Sequence, residues 1–139
     1  MKKLLFLMTA VISMSSFASE SFTSCKAVDS DIYVNISNST DEYGIDVVRA
    51  ETNHPDIIGG ILETPKYAAV DNTEMGIYAL NFNTKIGDKR LMVEFLHDRD
   101  GLMGPDRQGT SLKLDYYYVN DSEPVIIKLN CDEEVEVNQ

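Results

Sequence analysis

Short runs of alternating apolar and polar residues constrain the fold of this chain more than any other feature. In RLMVEFL, at residues 90–96, Leu91, Val93 and Phe95 occupy every second position. Successive side chains of a β-strand point to opposite faces, so this spacing predicts a strand with one buried face. No stretch of the sequence shows a sustained helical stripe of apolar residues. Further runs that predict strands are residues 32–36, 44–48, 75–82, 111–119 and 125–131. Residues 57–62 predict a strand with a bulge or sharp bend at Gly59-Gly60.

Turn-forming residues separate these runs at short intervals. They cluster in SNSTDE at 37–42, in DNT at 71–73 and in NDSEP at 120–124, and residues of these types favour turns. Many short strands with regular turns are typical of antiparallel sandwiches and small barrels. We therefore predict one all-β domain over residues 19–139, a single antiparallel β-sandwich or small β-barrel of about eight strands.

Residues 1–18 have the pattern of a secretory signal peptide. Two lysines precede an apolar run at 4–14, and small residues lead up to a predicted cleavage site near Ala18. The apolar run is too short to cross a bilayer, so the sequence predicts no membrane span. Because this compact start is typical of bacterial signals, we expect a periplasmic or secreted protein after cleavage.

The two cysteines lie near opposite ends of the exported region. Cys25 lies near the start of this region. In the last predicted strand, Cys131 lies on the same face as the apolar residues Val125, Ile127 and Leu129. An oxidising compartment favours disulfides, and the sequence has no C-x-x-C redox pair. We predict a structural disulfide between Cys25 and Cys131. An alternative stays open, because FTSC ending at Cys25 loosely resembles a lipobox that would make this cysteine lipid-bearing.

Acidic residues greatly outnumber basic ones. The formal charge is −11 at pH 7, and it becomes −13 once Lys2 and Lys3 leave with the signal peptide. Such a charge opposes binding to nucleic acids and to anionic membranes, whose surfaces are also negative. It favours a basic protein partner, although solubility alone would also account for it.

The sequence contains no recognisable constellation of catalytic residues. The motifs G-x-S-x-G and H-E-x-x-H are absent, and the predicted disulfide leaves no thiol nucleophile. His54 and His97 lie in different segments without an evident catalytic partner. We therefore predict a protein that is not an enzyme and that has no cofactor and no metal ion.

The segment HDRDGLMGPDRQG, residues 97–109, separates two predicted strands. It is longer than most hairpin connections, and long connections are often functional. Its aspartates and glycines also suit a plain turn, or a Ca²⁺ site, although D-x-D-G matches only part of an EF-hand loop. The Leu-Met pair is the least usual element, because apolar residues at a loop tip either fold back on the core or contact a partner.

We predict that residues 97–109 form a protruding binding finger. The apolar pair would anchor a partner, and the carboxylates would meet its basic groups. The two arginines would pair within the loop and hold its shape, because the loop alternates in charge sign. The predicted partner-binding residues are Asp98, Asp100, Leu102, Met103 and Asp106, and the predicted loop-shaping residues are Arg99 and Arg107.

Three functions are compatible with these features. The first is an exported acidic binding protein that inhibits or neutralises a basic protein, such as a cell-wall hydrolase or an antibacterial effector, as inhibitors and immunity proteins do. The second is a structural or adhesive β module of the envelope. The third is a small-ligand-binding β-barrel with Tyr116 and Tyr118 lining its interior. A homodimer formed through an edge strand is also compatible with the sequence.

Overall fold

A computed structural model describes residues 23–117 and 123–132; the predicted signal peptide, its cleavage site and Tyr118 lie outside these ranges. The described residues form strands and two short 3₁₀ turns, at Lys66–Ala68 and Pro105–Arg107. No helix in them is long and apolar enough to cross a membrane. The strands are β1 (Thr23–Ala27), β2 (Tyr33–Thr40), β3 (Asp46–Thr52), β4 (Ile61–Pro65), β5 (Val70–Asn72), β6 (Ile77–Ile86), β7 (Lys89–Asp98), β8 (Gly109–Tyr116) and β9 (Val125–Cys131).

All nine of these strands belong to one antiparallel sheet, in the order β4-β3-β2-β1-β9-β8-β7-β6-β5. The first and last strands, β1 and β9, therefore pair with each other in its middle. The sheet curls into a half-barrel, so that the edge strand β4 contacts β6 from the opposite side. The predicted all-β, antiparallel fold is confirmed, and the described strands form one curled sheet rather than two stacked ones.

The concave face of the sheet carries the hydrophobic core. Leu91, Val93 and Phe95 of β7 point into it, as their alternating positions predict. They pack against apolar side chains contributed by the other long strands. Further buried members of this core are Val34, Ile36, Val48, Ala50, Leu62, Leu80, Phe82, Leu112, Leu114 and Leu129.

A disulfide joins Cys25 to Cys131, as the sequence predicts. The two residues are direct partners in the ladder between β1 and β9, and Cys25 is fully buried. The bond therefore ties the first strand to the last in the centre of the sheet.

Antiparallel pairing sends successive connections to opposite ends of the half-barrel. We call the end that carries residues 53–60, between β3 and β4, the plugged end, because Ile57 of this connection inserts into the core and is only 3% exposed. The Tyr116 hydroxyl donates a hydrogen bond of 2.5 Å to Asp56 at this end. We call the other end, with residues 99–108 between β7 and β8, the open end.

The apolar run 57–62 is predicted to be a strand with a bulge or sharp bend at Gly59-Gly60; the structure has a turn at these glycines, and β4 begins only after it, at Ile61. Gly59 and Gly60 turn the chain with φ angles of 81° and 67°, which side chains other than glycine rarely adopt. A Cβ atom on Gly60 would lie 2.7 Å from the Thr52 carbonyl oxygen. This turn directs the preceding Ile57 inward and so produces the plug.

Candidate binding loop at the open end

The connection at the open end is shorter than the predicted finger of residues 97–109. His97 and Asp98 still belong to β7, and Gly109 already belongs to β8, because these residues pair across the ladder. Residues 99–108 alone form the loop, which we call the open-end loop. Its second half contains the 3₁₀ turn Pro105–Arg107.

Asp98 lies beneath this loop and is fully buried, at 0% exposure. Its two carboxylate oxygens accept the backbone N–H groups of Leu102 at 3.0 Å and Met103 at 2.8 Å. The prediction placed Asp98 against a partner, but burial removes its carboxylate from the surface. Asp98 instead fixes the backbone that carries the apolar pair, because hydrogen bonds to a charged acceptor are stronger than neutral ones.

Arg107 fastens the second half of the loop to the convex face of the sheet. Its guanidinium is 2.5 Å from Glu94 of β7 and donates a second bond of 3.2 Å to Ser111 of β8. The side chain is largely buried. The sequence predicts pairing within the loop, but the ion pair reaches a strand whose position no local pattern reveals.

Arg99 and Asp100 form an exposed ion pair of 3.0 Å inside the loop. Their hydrogen bond raises the pKa of Arg99 and lowers the pKa of Asp100. The Arg99 backbone N–H also donates to the Gly76 carbonyl at 2.9 Å. This hydrogen bond joins the loop to the turn between β5 and β6. The Asp100 carboxylate is therefore accessible but already paired.

Leu102 and Met103 project into solvent above this fixed backbone, at 55% and 56% exposure. Asp106 is also exposed, and no hydrogen bond or ion pair engages its carboxylate within the part of the chain that the structure describes. The open-end loop thus carries two exposed apolar side chains and an exposed carboxylate.

The turn between β2 and β3 uses a carboxylate in the same manner. Asp41 accepts the backbone N–H groups of Tyr43 at 2.9 Å and Ile45 at 2.8 Å, and the Tyr43 side chain is 80% exposed. Asp41 is not among the site residues that the sequence predicts. The segment Asp41-Glu42-Tyr43-Gly44 is a turn signal in which the aspartate caps its own turn, and it could have indicated an exposed tyrosine.

The geometry of the open-end loop suits binding, because a fixed backbone holds two exposed apolar side chains. Within residues 23–117 and 123–132, no three His, Cys, Asp or Glu side chains come together so that they could hold a metal ion. No buried side-chain nitrogen or oxygen in these ranges lacks a hydrogen-bond partner. The polar groups beneath the open-end loop are therefore fully used in holding its shape.

Comparison with protein-family models, with curated proteins and with solved structures gives no match for this chain.

Proposed function

We propose that this chain is an exported acidic binding protein that uses its open-end loop to inhibit or neutralise a basic protein partner. A cell-wall hydrolase or an antibacterial effector would be a partner of this kind. The proposal rests mainly on one observation, the exposed apolar pair Leu102–Met103 on a backbone that the Asp98 carboxylate already holds in place.

A loop that is ordered before binding loses little conformational entropy when it meets a partner. Asp98 holds the first half of the open-end loop, and Arg107 holds the second half through Glu94 and Ser111. The two apolar side chains can therefore act as anchors. In protein interfaces a few such residues contribute most of the binding free energy.

The charge supports a basic partner. With the signal peptide removed, the formal charge of −13 would attract a positively charged protein over several ångströms and raise the association rate. Asp106 lies beside the apolar pair with its carboxylate free and is the best-placed rim residue for a lysine or arginine of the partner. Export would follow from the signal-like residues 1–18, and the disulfide suits an oxidising compartment.

The small-ligand alternative is no longer supported at the position that the sequence indicated, the barrel interior near Tyr116 and Tyr118. Tyr116 lies at the plugged end, where its hydroxyl is bonded to Asp56 and Ile57 fills the adjoining core. Tyr118 lies outside the described residues. An adhesive envelope module and a dimer through an edge strand remain alternatives, and no contact in the described residues favours either one.

The test is capture of partners from periplasmic and secreted fractions, followed by an activity assay on the purified partner. We expect one basic protein to be captured at low salt and released at high salt. The purified partner should lose its activity in stoichiometric mixture with this protein. The double variant Leu102→Ala/Met103→Ala should weaken inhibition by about tenfold or more, the expected effect of removing a hot spot.

The matched control is Ile58→Ala, which also truncates an exposed apolar side chain, but at the plugged end. It should inhibit as the wild type does. If the Leu102/Met103 variant inhibits normally, or if the control fails equally, the open-end loop is not the contact surface and the proposal is wrong.

A further inference from the structure

The open end of the half-barrel contains a pocket of about 700 Å³ that the open-end loop does not fill. Its walls are the ends of β6, β7, β8, β9 and β1, all from the concave face of the sheet. Binding pockets for small molecules commonly have volumes of about 300–1,000 Å³. The pocket lies next to the binding loop but shares none of the side chains that carry the proposed function.

A row of three hydrogen-bonding side chains crosses this pocket. Tyr78, His97 and Thr110 lie on three neighbouring strands in direct register. His97 Nδ1 lies 2.9 Å from the Thr110 hydroxyl. Within the described residues, the Tyr78 hydroxyl and His97 Nε2 have no hydrogen-bond partner, so both atoms are available to a ligand.

Apolar groups form one wall of the pocket, and the polar residues Thr23, Asn130 and Asp132 complete its lining. Phe95 and Leu129 belong to the core and present their outer surfaces to the pocket, and Cys131 contributes one end of the disulfide. Burial raises the pKa of the Tyr78 phenol, with Asp71 adding to the effect. The phenol is therefore neutral and acts as a hydrogen-bond donor or acceptor at physiological pH.

We infer that this pocket binds a small uncharged molecule that has an apolar, ring-sized body and one hydrogen-bonding group. The apolar body would lie against Phe95 and Leu129, and its polar group would reach the row formed by Tyr78 and His97. An anion is disfavoured by the negative charge of the whole protein. A charge placed against the apolar wall of Phe95 and Leu129 would lose its hydration there, which costs free energy.

The inference is tested with N-phenyl-1-naphthylamine, an uncharged aromatic amine whose fluorescence rises in apolar surroundings. The protein is used as the cell produces it from the full-length sequence. We expect a saturable rise in fluorescence with one probe bound per chain. Thr110→Trp would fill the pocket, and the matched control Lys113→Trp would place the same side chain on the convex face of β8.

The filling variant should weaken probe binding by about tenfold or more, equivalent to 1.4 kcal/mol or more, while the control should bind as the wild type does. Tyr78→Phe should weaken it by a smaller factor, because only one hydrogen bond is lost. A rise that does not saturate, or equal binding by both tryptophan variants, would overturn the inference.

Nuclear magnetic resonance on the wild type provides a readout that does not depend on folding of the variants. Probe-induced shifts should concentrate on the amides of Tyr78, His97 and Thr110. Shifts centred on Leu102 and Met103, or spread over the exposed surface, would show that the probe binds elsewhere and would also overturn the inference. Neither result affects the proposed inhibition, which depends on the loop side chains alone.

Discussion

The two ends of the half-barrel belong to one sheet but are closed in different ways. At the plugged end, residues 53–60 insert Ile57 into the core. At the open end, residues 99–108 turn charged groups toward the sheet and leave Leu102 and Met103 in solvent. The length of a connection does not decide whether it closes a barrel. The direction of its apolar side chains decides it: one loop packs an apolar side chain into the core, while the other exposes its apolar pair to solvent.

The open end carries the disulfide instead of a packed plug. It joins β1 to β9, and Cys131 forms part of the lining of the pocket. Substitutions at the two ends can test this difference between a packed end and a disulfide-linked end.

Removal of the disulfide should have the largest effect. In the chain-entropy model, a closed loop of about 100 residues stabilises a protein by about 4–5 kcal/mol, and this loop spans 106 positions. The double variant Cys25→Ser/Cys131→Ser should unfold at much lower urea concentration, and reduction of the wild type should reproduce the loss. An unchanged midpoint in both experiments would mean that packing alone holds the open end.

Truncation of the plug should come next. Ile57→Ala removes a buried side chain and should lower the free energy of unfolding by about 2–5 kcal/mol. The neighbouring variant Ile58→Ala is a matched control, because Ile58 is 70% exposed and should change stability by less than about 0.5 kcal/mol. Urea unfolding measures both variants. Equal losses would show that Ile57 does not close the plugged end by packing.

Asp98→Ala should loosen the open-end loop. It leaves the backbone N–H groups of Leu102 and Met103 without their acceptor, and loss of a buried hydrogen-bonding partner costs about 1–3 kcal/mol. These two amides should exchange with deuterium faster than in the wild type. Asp100→Ala is the control and should leave their exchange unchanged, since its carboxylate bonds only to exposed Arg99.

Acid should weaken the plugged end through His54. Burial lowers the pKa of His54, with Asp56 partly offsetting this effect. The ring nitrogen Nδ1 accepts the Asp56 N–H at 3.2 Å, which a ring protonated there cannot do. The folded state therefore favours the neutral ring and binds fewer protons than the unfolded state, whose histidine titrates near 6.5. The stability from His54 is present above pH 6.5 and is lost as pH falls through the lower, folded pKa.

His54→Asn provides the comparison, because its amide oxygen keeps an acceptor near Asp56 but does not titrate. Urea unfolding near pH 7.5 and near pH 5 should show a larger loss of stability for the wild type than for this variant. Parallel losses in the two proteins would assign the acid effect to other groups.

The smallest effect on stability is expected for Leu102→Ala/Met103→Ala. More than half of each side chain already contacts water, so truncation should shift the melting temperature very little, consistent with exposed substitutions within about 0.5 kcal/mol. The melting temperature is measured by circular dichroism. A large fall would show that the pair stabilises the fold, as Ile57 is expected to do, and that the two loops do not differ in this respect.

The strands could be predicted because alternation is a local property of the chain. Leu91, Val93 and Phe95 show their buried face in the sequence alone. The bend at Gly59-Gly60 could also be predicted, because glycine in an apolar run often marks one. Alternation did not reveal that the residues before the bend belong to the plug and not to β4. The order of the strands depends on pairing between distant segments, which alternation does not encode.

A long connection between β7 and β8 could be predicted from the sequence, but the roles of its residues could not. Asp98 and Asp106 are both aspartates flanking the same turn, yet one is buried under the backbone and the other is exposed. The Arg107–Glu94 pair and the row formed by Tyr78 and His97 arise only from strand register. No composition or spacing signal distinguishes these cases before the sheet is assembled.

The pairing of β1 with β9 in the middle of the sheet also affects the order in which parts of the sheet can form. Strands β2 to β4 can pair with β1 soon after they are made, and β5 to β8 can pair among themselves. The two hairpin stacks have no ladder in common until β9 arrives. The sheet therefore stays divided into these two stacks until the last strand is available. Such long-range pairing is slow to form, so completion of the sheet is expected to be the late step of folding.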